Sequence, residues 1–364
     1  TNTMDTKLKR YIELLIKELK EKTNLMNIHS AVYTFTCFAE GHVGMDIEEN
    51  ESVKKGTNKS LDWDDIAAIQ WWFTKAGCDD ANVLVLKDTY NEPEAWVLHV
   101  PNGIKFIGCN PNEVFDEMKA LGKNGMDSQF LHRSGKVRNK LARWNFNVGD
   151  RHQDADIPNG KNTLYNFTEM PAVNAIRAGI NEIGKDRNLP TLHNLLAEAN
   201  VYYDDTCGIR YHGDEERNNS PVIGVNLGET RYIDFRSFYK HRFWGEQKRI
   251  ELKHGDMYFM STEAVGIGWL RKTHQKVIFR HRAGSKKFLD KHDKELARRD
   301  AKKDAKLKER ERKKAEKRKQ SSMDTFVKKR KIGCGPCDFV PQPREMNDHT
   351  TYECSKCGLE SGCA

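Results

Sequence analysis

The chain has 364 residues, of which 37% are hydrophobic and 31% charged. That balance fits a soluble globular protein with polar extensions and, at roughly 100–200 residues per domain, two or three domains. No stretch approaches ~18 consecutive apolar residues, which excludes a membrane-spanning helix. The opening residues, TNTMDTKLKRYIELLIKEL, mix charge with apolar side chains and lack the apolar core of a secretory signal.

Residues 5–22 read as an amphipathic helix, because Leu8, Tyr11, Ile12, Leu15, Ile16 and Leu19 recur at three- and four-residue spacing. With residues 1–26 set apart as this helix, residues 27–124 read as a small α/β domain of unassigned role. VYTFTCFAEGHVGM suggests strand and turn, and LDWDDIAAIQWWFTKAG a helix ending at glycine. ANVLVLKD and AWVLHVPNGIKFIG suggest strands, the latter with an Asn-Gly hairpin signal, and PNEVFDEMKALG suggests a helix. Residues 125–284 open with a basic, polar stretch, continue with helices at 170–186 and 190–198, and end in a strand-rich run from Asn200 to Gly284. Turn signals separate its pieces, as in an all-β sandwich or barrel.

Residues 285–331 form a polar linker with strong helix formers and no apolar seam, either a solvated helix or a disordered segment. The net charge of +8 concentrates here: residues 301–331 hold 15 Lys or Arg against 5 Asp or Glu, a net of +10 that leaves about −2 for the rest. Basic character is therefore a local device. Residues 332–364 carry Cys334-Gly-Pro-Cys337 and, sixteen residues on, Cys354-Ser-Lys-Cys357. Two such CxxC knuckles can enclose one zinc ion in a tetrahedral thiolate site. The total of nine cysteines, an odd number, suits a reducing compartment better than a disulfide framework.

The chemistry-bearing constellation is His212-Gly213-Asp214. On a β-strand, residues i and i+2 share a face, so an imidazole and a carboxylate can hold one metal, and a second histidine would complete a 2-His-1-carboxylate triad for Fe(II).

The surrounding segments add a family resemblance. Asn200-Val-Tyr202, ten to twelve residues ahead of His212-Gly-Asp214, followed by acidic residues, SPVIGVNLGETRYIDFR, HGDMYFMS and VIFRHRAG in order, resembles the AlkB-like 2-oxoglutarate/Fe(II) dioxygenases. Upstream, Gly149-Asp150 and Thr163 to Phe167 resemble that family's substrate-side lid. The resemblance covers residues 125–284. It implies an α+β fold with a double-stranded β-helix (jelly-roll) core and flanking helices, here extended by the N-terminal α/β part and the zinc ribbon. It implies His212 and Asp214 as catalytic iron ligands, Asn200 and Tyr202 as hydrogen-bond partners of 2-oxoglutarate, and Arg280 as a carboxylate partner. The family's usual second iron histidine has no counterpart in Glu263 to Arg271, which leaves His281 or His274. RHRAG resembles the ending of viral and protist relatives and favours His281, although alternation from an inward Arg280 turns His281 outward unless a bulge intervenes. The first arginine of the family's last strand is also absent.

Such an enzyme decarboxylates 2-oxoglutarate to succinate and CO₂ while hydroxylating a C–H bond. The resemblance favours a methyl group on a nucleobase in DNA, flipped or single-stranded. That outcome is either repair demethylation of an alkylated base or hydroxylation of thymine or 5-methylcytosine. Arg138 and Arg143, interleaved with Trp144, together with Tyr165, are the candidate DNA contacts. Gln320-Ser-Ser-Met323-Asp-Thr-Phe326-Val327 resembles a PIP-box, a peptide that docks on the PCNA sliding clamp through a short 3₁₀ turn projecting Met323 and Phe326, with Val327 in place of the second aromatic. Together these features imply a nuclear protein or one of a viral replication compartment. Alternatives from other classes are a non-catalytic DNA- or PCNA-binding adaptor with a degenerate oxygenase fold, and an RNA or protein hydroxylase.

Overall fold

The computed structural model describes residues 28–40, 46–90, 92–132, 134–214, 219–240, 242–266, 276–331, 339–341, 352–354 and 360–361. The expected helix at 5–22 lies outside the described residues, as does His274. The chain divides into two compact units, one up to Asp293 and one from Lys294.

In the first unit the order begins β1 (Ser30–Thr36), β2 (Phe38–Glu40), β3 (Asp46–Glu49), α1 (Glu51–Lys54), α2 (Trp63–Lys75), β4 (Asn82–Val85), β5 (Trp96–Val100), α3 (Gly103–Phe106) and α4 (Pro111–Ala120). It continues with β6 (Gln129–Leu131), β7 (Val137–Asn139), β8 (Trp144–Gly149), β9 (Leu164–Asn166), α5 (Pro171–Asp186), β10 (Leu196–Tyr202) and β11 (Gly208–His212). Then follow β12 (Val222–Gly228), β13 (Arg231–Tyr239), β14 (Arg242–Phe243), β15 (Lys248–Leu252), β16 (Met257–Met260), α6 (Thr262–Val265) and β17 (Ile278–Gly284). Helix α7 (Lys286–Lys331) starts in this unit and runs into the second, which ends in a small sheet of β18 (Phe339–Pro341), β19 (Tyr352–Cys354) and β20 (Glu360–Ser361).

Two large sheets dominate the first unit, beside the two-stranded pairs β2–β3 and β6–β7. The larger runs β4-β5-β16-β12-β1-β10-β8-β9, antiparallel except for the last pair, and the smaller runs β11-β17-β13-β14 with β15 also on β13. Alternation sorts the side chains. Val32, Tyr202, Val222, Tyr258 and Met260 of the large sheet meet Ile233, Phe235, Ile250, Leu252 and Phe279 of the small one in a shared interior. Tyr33, Phe35, Ile223, Val225 and Phe259 point the other way, against Ile66, Ile69 and Phe73 of α2 and Ile176, Ile180 and Ile183 of α5. This mixed α+β arrangement of facing antiparallel sheets is consistent with the expected jelly roll. Helix α2 is fixed at its start by a reciprocal capping box between Asp62 and Asp65.

Three expectations change. Residues 27–124 and 125–284, read as two domains, supply strands to one sheet: β1 sits between β10 and β12, and β5 pairs β16. Periodicity reveals strands but not their partners. The helix expected at 190–198 is a 3₁₀ turn at Pro190–Leu192 followed by β10, because Asn194 takes a left-handed φ of 53° and the chain then pairs with both β1 and β8. The Asn-Gly signal after β5 does not make a hairpin. Asn102 is left-handed at φ 48°, its N–H donates to Asp256 Oδ1 at 2.8 Å, and the chain enters α3.

The outer face of the small sheet carries a buried charge network. Asp234, fully buried, accepts from Arg249 at 2.6 and 2.9 Å and from Arg282 at 2.9 Å, and Arg282 also pairs with Asp293 in α7 at 2.7 Å. The linker's helical alternative holds, since α7 is continuous through Lys331.

Candidate metal centre

Strand β11 does not run straight. Ile209 faces Ala283 of β17, yet His212 faces His281, so two residues of β11 stand against one of β17. This bulge puts His212, rather than Tyr211, beside His281. Strand β17 itself keeps strict alternation against β13, with Phe279, His281 and Ala283 opposite Ser237, Phe235 and Ile233. His281 therefore points into the interior. Arg280 and Arg282 point out, and the Arg280 guanidinium lies 4.4 Å from the Phe238 ring centre. The bulge needed to reconcile the motifs exists, and it lies on β11.

Asp214 lies just past the end of β11, where its N–H donates to Val265 O at 3.0 Å. Gly266 allows that approach. Its φ is 86°, and a Cβ there would stand 2.6 Å from Phe279 O and 2.9 Å from Gly213 Cα.

The three side chains converge. Nε2 of His212 is 3.6 Å from Asp214 Oδ1, and Nε2 of His281 is 3.5 Å from Asp214 Oδ2. All three ligand atoms lie within 4.8 Å of one another. Cis ligands ~2.1 Å from one metal stand roughly 3 Å apart, so a small inward adjustment seats an ion. His212 Nδ1 lies 2.7 Å from Arg210 O, which fixes the proton there and turns Nε2 towards the centre. Burial pushes His212 down to about 4, with His281 adding to the shift, and burial likewise pushes His281 down to about 4. Both imidazoles are neutral at neutral pH, as ligands must be. Burial raises the Asp214 carboxyl, opposed by His212 and Arg143. The side chains of His212 and Asp214 keep 23% and 24% of their surface open, so the centre is deep but reachable.

Strand β13 orders the interior along its length. Arg231, Phe235 and Tyr239 share its inner face at four-residue steps, roughly 13 Å each at ~3.3 Å per residue. Phe235 marks the level of His281. At one end Arg231 is closed in: it is 2% exposed and stacked 3.4 Å from the Tyr202 ring centre. Its terminal nitrogens donate to Ser30 Oγ at 3.3 Å and Cys207 O at 3.4 Å, and its buried Nε has no hydrogen-bond partner among the described residues. Tyr258 adjoins this group. Burial raises its hydroxyl, as do Tyr202 and Asp214, while Arg231 lowers it. A Cβ at Gly224 would run into the Tyr258 ring. At the other end, Tyr90, Tyr239, Trp244 and Lys276 line an open depression of about 560 Å³.

The other anticipated residues divide. Asn200 and Tyr202 both face the interior, and Asn200 Oδ1 accepts from Arg143 Nε. Trp144 is 8% exposed and stacked on Tyr203 at 4.7 Å, while the Tyr165 hydroxyl donates to Gly125 O at 2.9 Å. Both belong to the helix-side core. Arg138 is exposed on the β6–β7 hairpin. Cys354 lies in β19, whereas Cys334, Cys337 and Cys357 lie outside the described residues. Gln320, Met323 and Phe326 fall within α7, not on a 3₁₀ turn; Met323 is 67% exposed. The side chain of Phe326 is outside the described residues.

Arg231 and Glu198 escaped the sequence reading. The signal for Arg231 was a cation in the inward row of RYIDFRSFY. Glu198 sits two residues before Asn200 on the same face, but the composition of its segment points to a helix.

Comparison with known proteins bears on this geometry. The profile of the 2OG-Fe(II) oxygenase superfamily matches residues 117–323. An uncharacterised protein of Acanthamoeba polyphaga mimivirus is 32% identical over 264 residues, which span 70% of this chain and 96% of that protein.

Proposed function

The chain belongs to the 2OG-Fe(II) oxygenase superfamily, and from there we propose that it oxidises a methyl group on a nucleobase in DNA. As a member it is a 2-oxoglutarate- and Fe(II)-dependent dioxygenase. His212, Asp214 and His281 would hold the iron; their two neutral imidazoles and one carboxylate, aimed at a common point, fit it. When bound, iron and 2-oxoglutarate would supply the oxidation by O₂, of which one atom enters succinate, formed with CO₂ from the co-substrate, and the other turns a substrate C–H into C–OH. An N-methyl group so hydroxylated leaves as formaldehyde; a methyl on C5 of thymine or cytosine remains as hydroxymethyl.

The chain's own groups supply orientation. Arg231, buried at the closed end with an Nε that has no hydrogen-bond partner among the described residues, would take the distal carboxylate of 2-oxoglutarate, with Tyr202 beneath it. Arg280, on the opposite face of its strand, leaves that role to Arg231. The substrate would enter from the Tyr239 end.

The observation that carries the nucleic-acid reading is the charge separation: a net of +10 in residues 301–331 beside a remainder near −2. In this reading α7 tethers the enzyme to DNA, and Cys334, Cys337, Cys354 and Cys357 bind zinc in a ribbon. Gln320, Met323 and Phe326 dock on the sliding clamp after the end of α7 unwinds, in the nucleus or a viral replication compartment. Unwinding is inexpensive for a helix without an apolar seam.

The test is anaerobic loading with Fe(II) and 2-oxoglutarate, then O₂, with and without methyl-bearing DNA oligonucleotides. Succinate accompanied by a demethylated or +16 Da base is expected. Succinate without any altered base, across single- and double-stranded DNA, overturns the DNA assignment and favours RNA or protein.

A further inference from the structure

The depression of about 560 Å³ at the Tyr239 end is lined by three aromatic rings, those of Tyr90, Tyr239 and Trp244. Two of them stand in solvent: Tyr90 is 95% exposed and Trp244 48%. Aromatic surface gathered around one depression in this way marks a binding site rather than a packing element. The rings are held in place. The Trp244 N–H donates to Ser237 O at 3.0 Å, and its ring centre lies 5.4 Å from that of Tyr239. The loop that carries Tyr90 is folded around Glu92, which is 3% exposed. That carboxylate accepts from the N–H of Asp88, from the N–H of Thr89 at 2.8 Å and from the Ser237 hydroxyl. Gly245 lets the two segments close on each other, since a Cβ there would stand 2.6 Å from Glu92 Oε1.

The free charge around the rings is positive. Lys276 lines the depression, and Lys240 Nζ lies 5.0 Å from the Tyr239 ring centre. Arg242 is the cross-strand partner of Tyr239, which puts it on the same face. Among the described residues none of these three cations forms an ion pair. The acids beside them are engaged, Glu92 by the donors above and Asp88 by Lys248 at 2.7 Å. Strand register gives the distance to the metal centre. Phe235 is the cross-strand partner of His281, and Tyr239 follows Phe235 by four residues on the same face, roughly 13 Å at ~3.3 Å per residue. The depression is therefore near enough for one polymer strand to reach both places, and too far to hold the group being oxidised.

We propose that this depression is a stacking platform for an unpaired base flanking the one at the metal centre, so that the substrate is a single strand, or a locally opened one, held at two points. The inference rests on the nucleic-acid reading above and deepens it. Every base has a π-face and every nucleotide an anionic phosphate, and these are the complements of exposed rings beside unpaired cations. A methylated ammonium also suits three rings, but it would meet Lys276 with like charge and find Glu92 already occupied. A stacked base is held by its face and not by its edge. The platform therefore selects for strandedness and not for sequence.

The experiment uses the full chain loaded with Mn(II), a redox-silent stand-in for iron, and 2-oxoglutarate. Fluorescence anisotropy compares two fluorescein-labelled single strands of equal length, one all thymidine and one abasic everywhere except a central thymine. Both keep the phosphates for α7 and a base for the metal centre; only the first offers a flanking base. Wild-type protein should bind the thymidine strand about 5- to 150-fold more tightly, the range of one base–aromatic stack. W244A should remove most of that preference by weakening the thymidine strand alone. Y90A, altered at a ring with almost no packing, gives the same reading should W244A misfold. Equal loss on both strands assigns Trp244 to the fold and overturns the proposal. No preference in wild type, or a preference unchanged in both variants, also overturns it and leaves the DNA assignment standing. Trp244-dependent binding of a trimethyllysine peptide, tighter than that of the thymidine strand, overturns it in favour of a cation cage. Wild-type protein that binds neither strand overturns the platform and the DNA assignment together.

Discussion

Replacing Arg231 with methionine separates a co-substrate contact from a structural one. Arg231 is 2% exposed, its hydrogen bonds to Ser30 and Cys207 are long at 3.3 and 3.4 Å, and its Nε has no hydrogen-bond partner among the described residues. Such a buried cation is poorly served by the protein alone. A carboxylate arriving there gains charge-assisted hydrogen bonds worth ~1.5–3 kcal/mol, so their loss should raise the Kd for 2-oxoglutarate roughly 10- to 150-fold at ~1.4 kcal/mol per decade. Methionine keeps much of the stem volume against Tyr202, and removal of an underserved charge should leave the thermal midpoint without 2-oxoglutarate unchanged or raised. Calorimetric titration of 2-oxoglutarate into the anaerobic Mn(II) protein, with thermal melts alongside, reads both quantities. Arg280→Met on the outer face should leave the Kd near wild type. If Arg231→Met binds 2-oxoglutarate like wild type, or lowers stability while leaving affinity intact, the guanidinium is a structural element and the reasoning fails.

His281→Ala should abolish stoichiometric Co(II) binding, measured by visible absorption, and His274→Ala should leave it intact; the reverse pattern would reassign the third ligand. In metal-free protein, both imidazoles stand at about 4 folded against ~6.5 unfolded, so the unfolded chain binds more protons between those values. Stability to urea should therefore fall as pH drops from ~6.5 towards 4, and this slope should vanish in His212→Ala/His281→Ala. Asp234→Ala leaves Arg249 short of a partner and removes the buried carboxylate from fully buried Arg282, which keeps Asp293, Gln247 and His292. It should cost about 3–5 kcal/mol in chemical denaturation, far more than Glu309→Ala in the exposed part of α7. Truncation after Asp293 should preserve Fe(II)- and 2-oxoglutarate-dependent succinate formation but flatten the salt dependence of DNA binding, read as the slope of log K against log salt.

His212 and Asp214 were legible because two short-range rules met, metal-ligand spacing and strand alternation. The third ligand was legible only as a choice, because the bulge that aligns His212 with His281 is a property of pairing between β11 and β17. The same limit misled the assignment of Arg280. Alternation correctly placed it and His281 on opposite faces, and the structure gives the inner face to the histidine. Trp144 and Tyr165 looked like stacking residues amid basic neighbours, but their outward row on β8 and β9 packs into the helix-side core. Glu198 was hidden by its segment's helical composition, which sheet pairing on both sides overrides.

The place of β1 has a consequence for how the protein is made. Ser30 pairs with both Tyr202 and Gly228, so the strand that lies between β10 and β12 is synthesised long before either neighbour. At ~5–20 residues per second, it waits on the order of ten seconds or more with both edges unpaired. During that interval SAVYTFT is an apolar, β-prone segment open to association with other nascent chains. Long-range pairing of this kind slows folding and ties it to the release of most of the first unit from the ribosome. Yield should then depend on translation rate, temperature and chaperone supply, and fragments designed to begin after β1 should aggregate, since they lack the seam that joins the two halves of the large sheet.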